Sequence, residues 1–316
     1  MLQLSRISFP LFWVAVGIYL AAMVGFFAFW AFRHRRLAIV SSVLMAVGWL
    51  IQGISDWSRA LALGRPPVGD LYEYSSTFAW LMVAVALFLI WRYRMAVLAG
   101  PILLGAVMLM SVGAIMYVPP GPLVPALRSY WISIHVTSMV FSSALFAVAF
   151  IVTLMGLQRV GAYHDLVAIL TRSGARDKPK PSPAAAILED SFGRPVSGPS
   201  GGASVTGQRS AMLPRAAVLE ELSNRFVMLA FPIWWFGIMA GALWAEQAWH
   251  SWWSWDPKET TALITGLTYA IYLHVYNFMG IRGRTAAYVQ LAGFACLLFT
   301  LYAVNLWIAG LHSYAR

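Results

Sequence analysis

Residues 10–36 read PLFWVAVGIYLAAMVGFFAFWAFRHRR, and this stretch decides the class of fold. After Pro10 no charge appears until Arg33, and then Arg33, His34, Arg35 and Arg36 arrive together. An uncharged run of about 20 residues crosses roughly 30 Å of hydrocarbon. Inside hydrocarbon the backbone must satisfy its own hydrogen bonds, so the run is expected to be a helix. The strict alternation of a transmembrane barrel strand is missing. The run is long enough to be retained as a span, so no cleaved signal peptide is expected.

The same pattern repeats along the chain. Of 316 residues, 60% are apolar and 11% charged, too little polar surface for a water-soluble domain. Eight spans can be drawn, at about 10–32, 37–54, 76–91, 96–117, 131–155, 224–243, 259–279 and 286–307. The expectation is an all-α polytopic membrane bundle of about eight transmembrane helices. Arg33, Arg35 and Arg36, then Arg92 and Arg94, then Arg282 and Arg284 fall in turns on one side. The long segment after span five joins them, with basic residues from Arg159 to Arg215. On the other side Arg6, Arg59, Arg65, Arg128, Lys258 and Arg316 are balanced by Asp56, Asp70, Glu73, Glu246, Asp256 and Glu259. Cationic loops stay cytoplasmic, so both termini are expected to be extracytoplasmic, in the plasma or inner membrane. The net charge of +10 is thereby explained by the bilayer, and no nucleic-acid partner is expected.

Residues 173–217 are rich in Pro, Ser, Gly and Ala and read as a flexible cytoplasmic linker. The expected organisation is a five-helix part over 1–160, a linker over 161–222 and a three-helix part over 223–316. The single cysteine, Cys296, excludes an internal disulfide and a cysteine-based metal cluster.

Between spans six and seven lies LWAEQAWHSWWSWDPKET, residues 243–260. It holds five of the 15 tryptophans: Trp244, Trp249, Trp252, Trp253 and Trp255. An aromatic belt at the membrane boundary accounts for one or two of them. It does not account for four within seven residues, followed by Asp256, Pro257, Lys258 and Glu259. Indole faces are wide and rigid, and so suit a large, flat, apolar ligand. Asp256 before Pro257 fits a helix N-cap, with Glu259 in the first turn. Lys258 serves either as an interfacial anchor or as the partner of a carboxylate.

A metalloporphyrin also needs axial ligands, for which imidazole is the usual choice. His135 lies one turn into span five from its outer end, and His312 lies just beyond the outer end of span eight. Each alone is an ordinary interfacial residue; two of them beside an indole platform point to an axial pair. His274 comes about 15 residues into span seven, roughly 22 Å deep at 1.5 Å per residue. An ionisable group at that depth is a functional candidate, against the plainer alternative of a neutral ring bonded to a neighbouring helix. His250 sits within the tryptophan loop and reads both ways.

These segments resemble a known family. WAEQAWHSWWSWDPKET is similar to the tryptophan-rich WWD motif of haem-handling proteins. Its flanks resemble the CcsA (also CcsB or ResC) subunit of the system II cytochrome c synthase. PALRSYWISIHV resembles the family's segment bearing the first external haem-ligand histidine, here His135. VNLWIAGLHSYA resembles that bearing the second, His312, and YAIYLHVYN that bearing the transmembrane histidine, His274. The chain departs from the family pattern at His250, Trp252, Thr261 and Arg128, and His250 becomes a further candidate ligand.

The resemblance implies a holocytochrome c synthase (cytochrome c haem lyase) subunit active in complex with a ResB-type membrane partner. Haem b, both substrate and bound ligand, would be held by Trp244, Trp249, Trp252, Trp253, Trp255 and Asp256, with His135 and His312 on the iron. His274 would mark a transit site. The acceptor would be apocytochrome c, whose C-x-x-C-H thiols add to the haem vinyl groups. The alternatives are a haem exporter or haem chaperone without covalent chemistry, and a small-solute transporter with an incidental aromatic belt.

Overall fold

The computed structural model describes residues 2–119, 129–159 and 213–308, and every regular element among them is helical. The long helices are α1 (Leu2–Phe32), α2 (Arg35–Leu63), α3 (Leu71–Tyr93), α4 (Ala99–Ile115) and α5 (Tyr130–Arg159). After the undescribed stretch come α6 (Ala216–Trp249), α7 (Pro257–Leu273) and α8 (Arg284–Leu298). Helix α7 runs on through a π-helical turn, His274–Phe278. Helix α8 runs on through another, Phe299–Ala303, and a last turn, Val304–Trp307. Seven of these segments are long and apolar enough to cross a bilayer by themselves. The eighth, α7, has 17 regular residues and gains its remaining length from the π turn. The chain is thus an all-α, multi-pass membrane bundle, as its hydropathy demands.

The helices overrun the apolar runs. Helix α2 continues to Leu63 and α3 begins at Leu71, so Asp56, Arg59 and Glu73, read from sequence as loop charges, stand on helices. They are buried there with partners: Arg59 and Glu73 pair with each other, and Asp56 Oδ1 accepts from the Ser76 hydroxyl at 2.7 Å. Arg59 Nε donates to Glu73 Oε1 at 2.6 Å, and its Nη2 donates to Asp70 Oδ2 at 3.0 Å and the Val118 carbonyl at 2.8 Å. Arg65 Nη1 donates to Glu73 Oε2, and the Arg59 guanidinium lies over the Tyr72 ring at 5.0 Å. Asp70 caps α3 by accepting from Glu73 N at 2.8 Å. A buried charge persists when it is paired and hydrogen-bonded on most of its polar atoms, as here.

Neighbouring helices pair as hairpins, α1 with α2, α3 with α4 and α7 with α8, and the broadest contact joins α5 to α6. Phe146 of α5 stacks on Tyr269 of α7 at 3.7 Å and meets the edge of Trp234 of α6 at 5.9 Å. Trp234 Nε1 donates to the Ala262 carbonyl at 3.1 Å, tying α6 to the start of α7. Large apolar side chains such as Val24, Val40 and Met239 point outward, the reverse of a soluble protein and the arrangement lipid requires.

Candidate functional site

A cavity of about 220 Å³ opens at one end of the bundle. Its walls come from the α2–α3 loop, the first turns of α5, the last turns of α6, the tryptophan loop, the start of α7 and the end of α8. The arginine-bearing turns at 33–36, 92–94 and 282–284 belong to the opposite end of these same helices. The cavity floor is apolar, with Ile132, Val136 and Met139 from α5, Trp234 and Ile238 from α6, and Leu297 and Leu301 from the end of α8. Arg65, Asp70, Lys258 and Glu259 supply its charges.

His135 lines the cavity, half-buried between α5 and α6. Its Nδ1 lies 2.7 Å from the Gly237 carbonyl oxygen. A carbonyl only accepts, so Nδ1 carries the proton, and in the neutral form of the ring the lone pair stands on Nε2. That is the tautomer of a metal-ligating histidine whose other nitrogen is held by a backbone carbonyl.

The tryptophans divide. Trp252 and Trp253 line the cavity, whereas Trp255 is 70% exposed and meets Trp253 edge-on at 5.7 Å. Trp244 also reaches the cavity but is 1% exposed, packed with Ile132 and Ala245. Trp249 is behind it, edge-on to Trp244 at 5.0 Å. Trp244 and Trp249 therefore cement α6 to α5, Trp252 and Trp253 line the opening, and Trp255 stands outside it.

The loop is held by its downstream helix. Asp256 and Glu259 form a reciprocal capping box with Pro257 in the first helical position. Asp256 Oδ1 accepts from Lys258 N at 3.0 Å, while Glu259 Oε2 accepts from Ser254 N at 2.9 Å and Asp256 N at 3.3 Å. These bonds hold Trp255 at φ 57°, a left-handed conformation that costs an ordinary residue roughly 1–2 kcal/mol. His250, also at positive φ, is the exposed C-cap of α6, and its N–H bonds the Glu246 carbonyl at 3.0 Å. Asp256 is absent from the cavity wall and acts on the site through the cap.

Lys258 lines the cavity and is partly buried. It precedes the seventh apolar run, and burial pushes its amine down to about 8, against the upward pull of Asp256.

His274 stands apart. It is exposed on the outside of α7, opens the π turn, and stacks on Phe278 at 5.5 Å. Its backbone carbonyl accepts from Met279 N at 3.1 Å, and its imidazole has no hydrogen bond to a neighbouring helix among the described residues. His312 lies outside the described residues.

Sequence reasoning missed the α2–α3 loop, where Arg65, Pro66, Val68 and Gly69 form a wall of the cavity. It also missed Thr300 and Leu301 of the π turn and Asn305 of the turn after it, all on the cavity wall. The signal available was a carboxylate pair at 70 and 73 facing two arginines, which charge counting alone treats as loop balance.

Comparison with known proteins follows the same outline. Residues 68–312 match the family described as "Cytochrome C assembly protein", which takes in α3 to the end of α8. The chain is 33% identical to a Synechocystis sp. protein named "Cytochrome c biogenesis protein CcsA", over 94% of this chain and 95% of that one. Proteins of the same name from Picosynechococcus sp. and Gloeothece citriformis are 33% and 36% identical, each over 81% of this chain.

Proposed function

The chain belongs to the cytochrome C assembly protein family, and on that premise we propose that it acts in cytochrome c biogenesis as a haem-holding subunit of a cytochrome c synthase. The observation that carries this reading is His135, its Nδ1 on the Gly237 carbonyl, facing an apolar cavity that Trp252 and Trp253 overhang. The residues fit haem chemically. The walls are largely apolar and include indole rings, His135 lines them with Nδ1 on a backbone carbonyl, and Lys258 and Arg65 are cations able to meet propionates.

His135 and His312 would ligate the iron from its two sides, and Trp244, Trp249, Trp252, Trp253 and Trp255 would build and brace the platform. The cavity is smaller than the roughly 300–1,000 Å³ that engulfs a drug-sized ligand. A haem plate would therefore keep an edge outside, and that edge is where acceptor thiols can reach. Each thiol adds across a vinyl double bond, sulfur to one carbon and hydrogen to the other, with no net oxidation. The chain contributes orientation and iron ligation; reactivity belongs to haem and thiol.

We place the site on the extracytoplasmic face of the cell membrane, from the positive-inside rule. An imidazole facing lipid is costly, so the exposed His274 supports a covered face: a ResB-type partner would lie against α7 there, at a transit site for haem. The five-helix part and the three-helix part would act as one unit around the cavity, with the linker on the cytoplasmic side.

Co-expression of this chain, a ResB-type partner and an apocytochrome bearing C-x-x-C-H tests the reading. The expected product retains haem through denaturing electrophoresis and gains the mass of one haem, with both C-x-x-C-H thiols consumed. Haem that reaches the outer face while the acceptor stays unmodified would mark an exporter or haem chaperone instead.

A further inference from the structure

Helix α6 carries Gly237 and Gly241 one turn apart. The carbonyl of the first receives the His135 Nδ1–H at 2.7 Å. The second lies under the ring itself. A Cβ at Gly241 would stand 2.7 Å from Nδ1, 2.9 Å from Cε1 and 3.4 Å from Cγ of His135. Those three ring atoms are the nearest neighbours such a Cβ would meet, ahead of any backbone atom of α5. Glycine weakens the interior of a helix relative to alanine, so its presence here needs a cause. Close approach of two helix backbones is the usual one in membranes, and the geometry at Gly241 is different: the vacant volume is filled by an imidazole. At Gly237 the corresponding neighbour is Met139 Sδ, at 2.7 Å, so that glycine serves packing as well as hydrogen bonding.

We propose that Gly241 is a positioning residue for His135, the absent side chain seating the imidazole where the Gly237 carbonyl fixes its tautomer and leaves Nε2 as the metal-binding atom. A methyl group at 2.7 Å forces the ring to shift or turn. The Nδ1 bond to a single fixed carbonyl does not survive much rotation. The ring would then lose the partner that sets its orientation and its basicity as a ligand. The proposal rests on the reading of His135 as a haem ligand, and its test separates the two.

The test is a double-mutant cycle on the full chain purified in detergent with its co-expressed partner: wild type, Gly241→Ala, His135→Ala and both together. If the ring is what Gly241 makes room for, Gly241→Ala lowers the melting temperature by several degrees in the wild-type background. In the His135→Ala background it costs nothing or raises it, because alanine is the better helix former. Equal losses in both backgrounds would overturn the proposal. If Gly241→Ala alone fails to accumulate, recovery in the double variant supports the proposal. Failure of the double variant where His135→Ala accumulates overturns it.

The second readout is bound haem. Gly241→Ala is expected to shift the ferrous absorption bands and the reduction potential. Gly293→Ala, whose Cβ would meet the Tyr269 ring at 3.1 Å away from the cavity wall, leaves both unchanged. Wild-type bands and potential in Gly241→Ala would overturn the positioning role while the ligand reading stands. Wild-type bands in His135→Ala would end the ligand reading on which the proposal rests.

Discussion

Two histidines of the membrane helices end in different surroundings. His135 is half-buried with a carbonyl on Nδ1, and His274 is exposed beside Phe278. The difference comes from the neighbouring helix, because α6 offers two glycines to His135 and nothing comparable covers His274 among the described residues. Lys258 is the other residue whose surroundings matter. Its amine titrates near 8 in the folded chain, against an ordinary value of 10.5. Between those values the unfolded chain binds more protons, so stability rises with pH; below pH 8 the full cost of the buried charge is present. Lys258→Met is therefore expected to stabilise the haem-free protein by about 1–3 kcal/mol at pH 7. The advantage should shrink as pH climbs from 8 toward 10. Melting temperatures of both forms across that range check this, and an advantage that grew with pH would refute it.

At the scale of elements, the start of α7 and the α2–α3 corner fix the mouth of the cavity. The first was legible in sequence: Asp256-Pro257 with Glu259 is a helix-start pattern, and the expected N-cap forms, closed by Glu259 into a capping box. The second was hidden, because partners at 59, 65, 70 and 73 identify one another only once α2 and α3 stand side by side. Removing one member leaves the others buried without their counter-charge, at about 3–5 kcal/mol. Glu73→Gln is accordingly expected to lower the melting temperature more than Asp256→Ala, which loses a cap worth about 1 kcal/mol. Thermal unfolding in detergent ranks the two, and the reverse order would contradict the account. The π turns at 274–278 and 299–303 were likewise invisible, since a one-residue bulge leaves hydropathy unchanged.

Across the whole molecule, hydropathy gave the number of helices, because lipid leaves the backbone few choices; their pairing came only from the structure. Hydropathy could not give the division of labour among the five tryptophans either. Trp244 and Trp249 turn into the α5–α6 contact and Trp252 and Trp253 toward the opening, a matter of tertiary packing alone. The sidedness proposed above makes its own prediction. In a Cys296→Ala background, Ser254→Cys should react with a membrane-impermeant thiol reagent on intact cells. Arg282→Cys should react only after lysis, and the opposite pattern would invert the topology.

The central claim is that His135 ligates haem in the outer cavity. The most direct measurement is the ferric and ferrous absorption of the chain purified with its partner, compared with His135→Ala, His312→Ala and His274→Ala. The account predicts a low-spin, bis-histidine haem in the wild type, lost or made high-spin by either outer substitution. His274→Ala should change haem occupancy without changing the ligation of what remains. An unaltered spectrum in His135→Ala, or no haem in the wild type under several growth conditions, would contradict it.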